Sequence, residues 1–174
     1  MKRLNFSSEH IIRTSFSRKN LSYAVRNTDD KNEQLLRIVN NVAGSGIVYM
    51  RSREGCEQIA EFLRNNGHSA SYYHAGLPYL ERSVRQEEWL SGKVRIIVAT
   101  NAFGMGIDKA DVRFVVHYSM CDSLENYYQE AGRAGRDGKR SYAVLLAASD
   151  DTARIRRNFS AEFPPLDEIK SIYE

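Results

Sequence analysis

The chain has 174 residues, 42% hydrophobic and 27% charged, a balance that suits one globular domain and excludes intrinsic disorder or collagen-like composition. Its 25 Lys and Arg against 22 Asp and Glu leave a net charge of +3, too faint to mark a nucleic-acid binder unless the charge is clustered. No apolar run approaches the roughly 18 residues of a membrane helix, and the segment from Met1 to Ser7 holds no apolar core of signal-peptide length. Cys56 and Cys121, the two cysteines, lack CxxC or Cys/His ligand spacing, so neither a disulfide framework nor a metal site is expected. The expectation is a soluble, intracellular, single-domain chain.

The first 30 or so residues read as a polar lead-in with an extended piece around Leu21–Val25. Leu35, Ile38, Val39 and Val42 then keep helical spacing. Ile47–Met50 reads as a strand, and Cys56, Ile59, Ala60 and Leu63 form a second helical face closed by Asn65-Asn66-Gly67. Ser71–Tyr73 is a shorter strand, followed by the His74–Pro78 loop and a helix from Tyr79 to Leu90. Arg95–Ala99 and Arg113–His117 are near-continuous apolar strands, the pattern of burial on both faces. Asp122 with Glu125 resembles a capping box ahead of Leu124, Tyr127, Tyr128 and Ala131. Tyr142–Leu146 is a further strand, and Pro164-Pro165 precedes an amphipathic segment with Leu166, Ile169 and Ile172. Strands alternating with helices predict βαβ units wound into a parallel sheet.

Three stretches carry candidate chemistry. In the run from Gln129 to Gly138, glycines at 132, 135 and 138 alternate with Arg133 and Arg136. Two arginines three apart on a helical turn would project together, and their planar forks suit phosphate oxygens. The pattern equally fits a glycine-rich turn with solvated arginines, and spacing alone does not separate the two. The second stretch, Ala99 to Asp108, follows a buried strand, which puts Thr100 and Asn101 at the strand edge where ligands of open α/β sheets collect. Asp108 there has the chemistry to accept from a ribose hydroxyl, while Gly104 and Gly106 also fit a plain strand-to-helix turn. The third is Met50–Arg53, where Ser52 suits either a helix N-cap or, with Arg53, a phosphate contact at a helix N-terminus. His74-Ala75-Gly76 would lie at the same end of a neighbouring strand.

Absences matter as much. The sequence has no G-x-x-x-x-G-K-[ST] phosphate loop and no DExH or DExD segment to hold Mg²⁺. Phosphate-binding arginines without the groups that normally hold the nucleotide describe half of a site.

The segments Gly46–Arg53, Tyr73–Leu77, Ala99–Lys109 and Gln129–Gly138 together resemble motifs IV, IVa, V and VI of the second motor lobe of RecQ-family DNA helicases, in family order. The strings AFGMGIDK and QEAGRAGRDG are similar to RecQ rather than to RNA helicases, for which HRxGRxGR is expected. Ser15–Leu21 resembles the family's inter-lobe segment, and the likeness fades after about Ala148. Cys121 stands where the family usually has proline.

The resemblance implies a RecA-like, P-loop NTPase-type α/β fold, a parallel sheet with helices on both faces. It divides the chain into an inter-lobe lead-in at 1–28, the lobe at 29–160, and the start of a further helical segment at 161–174. It implies ATP hydrolysis in a cleft between two lobes, coupled to 3′ to 5′ translocation on single-stranded and partly duplex DNA in repair and recombination. Arg136 would be the arginine finger with Arg133 beside it; Gly106, Asp108 and Gln129 would face the nucleotide. Ser52, Arg53, His74, Gly76, Thr100 and Asn101 would contact the DNA backbone. ATP and Mg²⁺ would be held mainly by the N-terminal RecA-like lobe, the expected partner, so this chain alone should lack ATPase activity. Cellular placement would be the nucleoid in a bacterium or the nucleus in a eukaryote. The competing reading is a non-catalytic nucleic-acid-binding or regulatory module that kept the fold; a phosphate loop and DExH box encoded upstream would decide for the motor.

Overall fold

The computed structural model describes residues 17–104, 107–162 and 170. Among the described residues, six strands form one parallel sheet in the order β1-β6-β5-β2-β4-β3. They are β1 (Leu21–Asn27), β2 (Ser45–Tyr49), β3 (Ala70–Tyr73), β4 (Ile96–Ala99), β5 (Val112–His117) and β6 (Ser141–Ala147). Five helices among the described residues connect or follow them: α1 (Lys31–Asn41), α2 (Arg53–Asn65), α3 (Tyr79–Leu90), α4 (Leu124–Ala131) and α5 (Asp151–Glu162). The strands and helices expected between Leu21 and Leu146 are all present. The extended lead-in piece is a full edge strand, paired with β6 from Leu21–Ser141 to Asn27–Ala147.

The alternation of side chains along each strand builds two separate cores, one on each face. On one face Val48, Ile96, Val98, Phe114 and Val116 meet Leu35 and Val39 of α1 and Cys56, Ile59, Ala60 and Leu63 of α2. On the other, Ile47, Tyr49, Ile97, Ala99 and Val115 meet Trp89 of α3 and Ala131 of α4. The fully buried Trp89 anchors α3: its indole N–H donates to the Gly46 carbonyl at 3.2 Å, and its ring meets Phe103 edge-on. Gly46 itself is required by packing, because a Cβ there would lie 2.0 Å from the Phe114 ring.

Local signals explain most helix ends. Asp30 caps α1 by accepting from the Glu33 N–H at 2.9 Å, and Ser52 caps α2 by accepting from the Gly55 N–H at 3.0 Å. The cap of α4 corrects the sequence reading by one residue. Ser123, not Asp122, accepts from the Asn126 N–H at 3.2 Å, because the Asp122 carboxylate is drawn into an ion pair with Arg51. Helix α5, unread in the sequence, is tied back to α1: the buried Asp151 carboxylate takes the Lys31 ammonium at 2.7 Å and the Ala148 N–H at 2.8 Å. The amphipathic segment with Leu166, Ile169 and Ile172, like Ser15 and Phe16 of the lead-in, lies outside the described residues.

Candidate nucleotide and nucleic-acid edge

All six strands run in parallel, so their carboxyl ends share one edge, and the loops after β2, β3 and β4 bring Ser52, Arg53, His74, Gly76, Thr100 and Asn101 there, whereas the turn carrying Arg133 and Arg136 lies beside the start of β5, the Gly135 N–H donating to the Val112 carbonyl at 2.8 Å. Ser52 spends its hydroxyl on the α2 cap. Arg53, the first residue of that helix, lies across Gly76, where a Cβ would approach its Nη1 to 2.9 Å. His74 is buried and stacked on Tyr72, with Nε2 3.0 Å from a Glu57 carboxylate oxygen. Thr100 is largely buried; its N–H donates to the Tyr73 carbonyl at 3.2 Å and its carbonyl accepts from Phe103. Asn101 is exposed and, with Tyr49, Arg51, Cys121 and Glu130, lines a polar cavity of about 200 Å³. Of the six residues expected on this edge, Arg53, Gly76 and Asn101 present exposed surface, while His74 and Thr100 are mostly enclosed and Ser52 is exposed but committed to its cap.

The arginine-bearing turn departs from the sequence expectation in a specific way. Helix α4 ends at Ala131, so Arg133 and Arg136 do not share a helical face. The chain turns instead, with Gly135 at φ +63°, and the two side chains diverge. Arg133 points inward, is 9% exposed and donates to the Gly104 carbonyl at 2.7 Å. Arg136 points outward and donates through Nη1 to the Ile107 carbonyl at 3.3 Å and to the Asp108 carboxylate at 2.9 Å. Both nonetheless grip the loop that follows β4, one from inside and one from the surface. Asp108 therefore faces Arg136. Gln129 is exposed on α4, and Gly106 lies outside the described residues.

The lead-in holds this turn from the other side. Arg18 donates to the carbonyls of Gly132 (3.3 Å), Ala134 (2.8 Å) and Gly135 (2.6 Å), and the Asn20 amide donates to Gly135 at 2.7 Å and to Lys139 at 2.9 Å. Sequence reasoning singled out this segment only as a connector. A basic residue followed two positions on by asparagine signals donors, but nothing local reveals that their acceptors lie more than a hundred residues downstream.

Sequence reasoning also missed a buried polar cluster behind the edge. His117 at the end of β5 places Nε2 3.0 Å from a Glu130 carboxylate oxygen, and the Cys121 thiol donates to the same oxygen at 3.4 Å. Tyr49 stacks on His117 at 5.5 Å and donates its hydroxyl to the Phe103 carbonyl at 3.1 Å. Burial holds the Tyr49 hydroxyl well above its ordinary ionisation range. Burial, with the Glu130 charge adding to it, pushes the Cys121 thiol up to about 12. A histidine closing an apolar strand was the one signal on offer. At the other end of β5, the Arg113 guanidinium holds the Asp137 carboxyl below its usual range.

A parallel sheet covered on both faces, with arginines clamping the loop after a central strand, defines a helicase-type C-terminal lobe. Residues 30–138 match the helicase conserved C-terminal domain model, and the chain belongs to that family. Within that family it is similar to helicases of the RecQ kind. It is 50% identical over 143 residues to the ATP-dependent DNA helicase hus2/rqh1 of Schizosaccharomyces pombe, covering 80% of this chain and 11% of that protein. It is 46% identical over 158 residues to the ATP-dependent DNA helicase RecQ of Pasteurella multocida, covering 90% of this chain and 25% of that one. The chain thus spans a quarter or less of the length of these relatives. Among solved structures, the DEAD-box protein SrmB of E. coli aligns with a TM-score of 0.70 at 27% identity, covering 79% of this chain and 82% of that one. No helix among the described residues is long and apolar enough to cross a membrane.

Proposed function

We propose that this lobe supplies the arginine finger and part of the DNA track of an ATP-dependent 3′ to 5′ DNA helicase of the RecQ kind. The supporting observation is the unequal commitment of the two arginines. Arg133 is buried against Gly104, so it acts as a positioning residue that fixes the loop after β4. Arg136 makes an ion pair whose side chains are 39% and 84% exposed, an arrangement worth at most about 1 kcal/mol. A γ-phosphate carries more charge than Asp108 and accepts a bidentate guanidinium, so exchanging Asp108 for it is cheap. In that role Arg136 stabilises charge on the transferring phosphoryl group, an effect worth about 10³–10⁵ in rate.

Asp108, the carboxylate nearest the finger, is committed to Arg136, so this lobe's contribution is positive charge. The phosphate loop and the Mg²⁺-binding carboxylates belong to the partner lobe in this reading. The edge carrying Arg53, Gly76 and Asn101, with Ser52, His74 and Thr100 behind it, tracks the phosphates of a single strand. Such contacts carry no sequence information, which suits a motor that steps.

The test uses the intact parent protein. Arg136→Ala should abolish most DNA-stimulated ATP hydrolysis while ATP binding stays near wild type; survival of turnover removes the finger assignment. The isolated chain, assayed for phosphate release with single-stranded DNA, should show no Arg136-dependent turnover.

A further inference from the structure

We infer that His117, Cys121 and Glu130 form a binding site for a thiophilic divalent cation, Zn²⁺ in the first instance. Three donors of different kinds converge: an imidazole nitrogen, a thiol sulfur and a carboxylate oxygen, all within 4.8 Å of one another. They come from three separate places, the end of β5, the loop after it and α4, so the fold assembles them where sequence spacing did not. The set suits a borderline-soft ion, since thiolate and imidazole together favour Zn²⁺ over Mg²⁺ or Ca²⁺. Cys121 and Glu130 also line the 200 Å³ cavity beside Asn101, which leaves room for a water as fourth ligand.

The proton balance is explicit. Without metal, the Glu130 carboxylate accepts from both the imidazole Nε2–H and the thiol. Metal binding sends the thiol proton to solvent and moves the imidazole proton from Nε2 to Nδ1, an atom with no hydrogen-bond partner among the described residues. One proton is released per ion, so affinity rises with pH. The bound ion would tie α4 to the end of β5, immediately ahead of the turn carrying Arg133 and Arg136.

The chain is titrated with Co²⁺ as a spectroscopic probe, then with Zn²⁺ in competition. One equivalent of Co²⁺ should produce thiolate-to-cobalt charge transfer and tetrahedral visible bands, displaced by Zn²⁺. Cys121→Ser and Glu130→Gln should each weaken binding by more than about 100-fold, beyond the cost of losing an outer partner. Cys56→Ala should keep the full signal. Absence of the charge-transfer band in natively folded protein, or its persistence in folded Cys121→Ser, overturns the site. If Cys121→Ser does not fold, Glu130→Gln, which keeps the carboxylate's shape, decides alone by the same readout.

Discussion

The Arg133 guanidinium crosses the loop at Gly104, donating to its carbonyl at 2.7 Å while filling the space where a Gly104 side chain would begin. A Cβ at Gly104 would stand 2.1 Å from Arg133 Nη2, and the residue sits at φ +153°. The glycine is therefore a packing requirement of the arginine. Gly104→Ala should destabilise the chain by about 2 kcal/mol, the scale of an overpacked core. Urea unfolding measures it, and the loss should be smaller when Arg133→Ala is already present, because the two residues touch.

The two arginines should separate cleanly by stability. Arg133→Ala leaves a buried carbonyl without its donor and should cost about 1–3 kcal/mol. Arg136→Ala removes an exposed pair and should change stability by less than about 1 kcal/mol. Thermal unfolding of the two variants in parallel checks the contrast. Equal losses would mean that both side chains are structural.

Arg18 should behave as part of the arginine turn despite its distance in sequence. Removing its guanidinium deprives the Ala134 and Gly135 carbonyls of donors at 2.8 and 2.6 Å, although Asn20 still serves Gly135. Arg18→Ala should lower stability by about 1–2 kcal/mol. Hydrogen exchange should quicken most at the amides of residues 132–138, and unchanged exchange there would show that the lead-in does not brace the turn.

Stability should fall on the alkaline side. The Cys56 thiol, ordinarily ionising near 9.0, is pushed up to about 12 by burial. Its folded-state value is raised, so its contribution is complete below pH 9 and is lost as pH climbs toward 12. The steepest loss from this group is about 1.4 kcal/mol per pH unit. Cys121 and Tyr49 act in the same direction. Urea midpoints measured from pH 7 to 11 should decline above pH 9, and Cys56→Ala should flatten part of that slope.

The parallel sheet was legible because near-continuous apolar runs such as Ile96–Ala99 have to be covered on both faces, and α3 was legible to both its ends, Tyr79 and Leu90. The cap of α4 was misread by one residue because Asp122 and Ser123 are both good caps; Arg51, distant in sequence, takes one of them. Likewise the glycine spacing marked a turn but not the divergence of its arginines. That divergence depends on where α4 stops and on the left-handed Gly135.

Local pattern by itself determined the order of β1 to β6 and α1 to α4 and the family likeness, because each depends on residues a few positions apart. Only the tertiary structure decided which arginine is buried, which carbonyls Arg18 holds, and that His117, Cys121 and Glu130 meet around one carboxylate oxygen. Those relationships arise from chain segments brought together by burial of the two cores, and no sequence period encodes them.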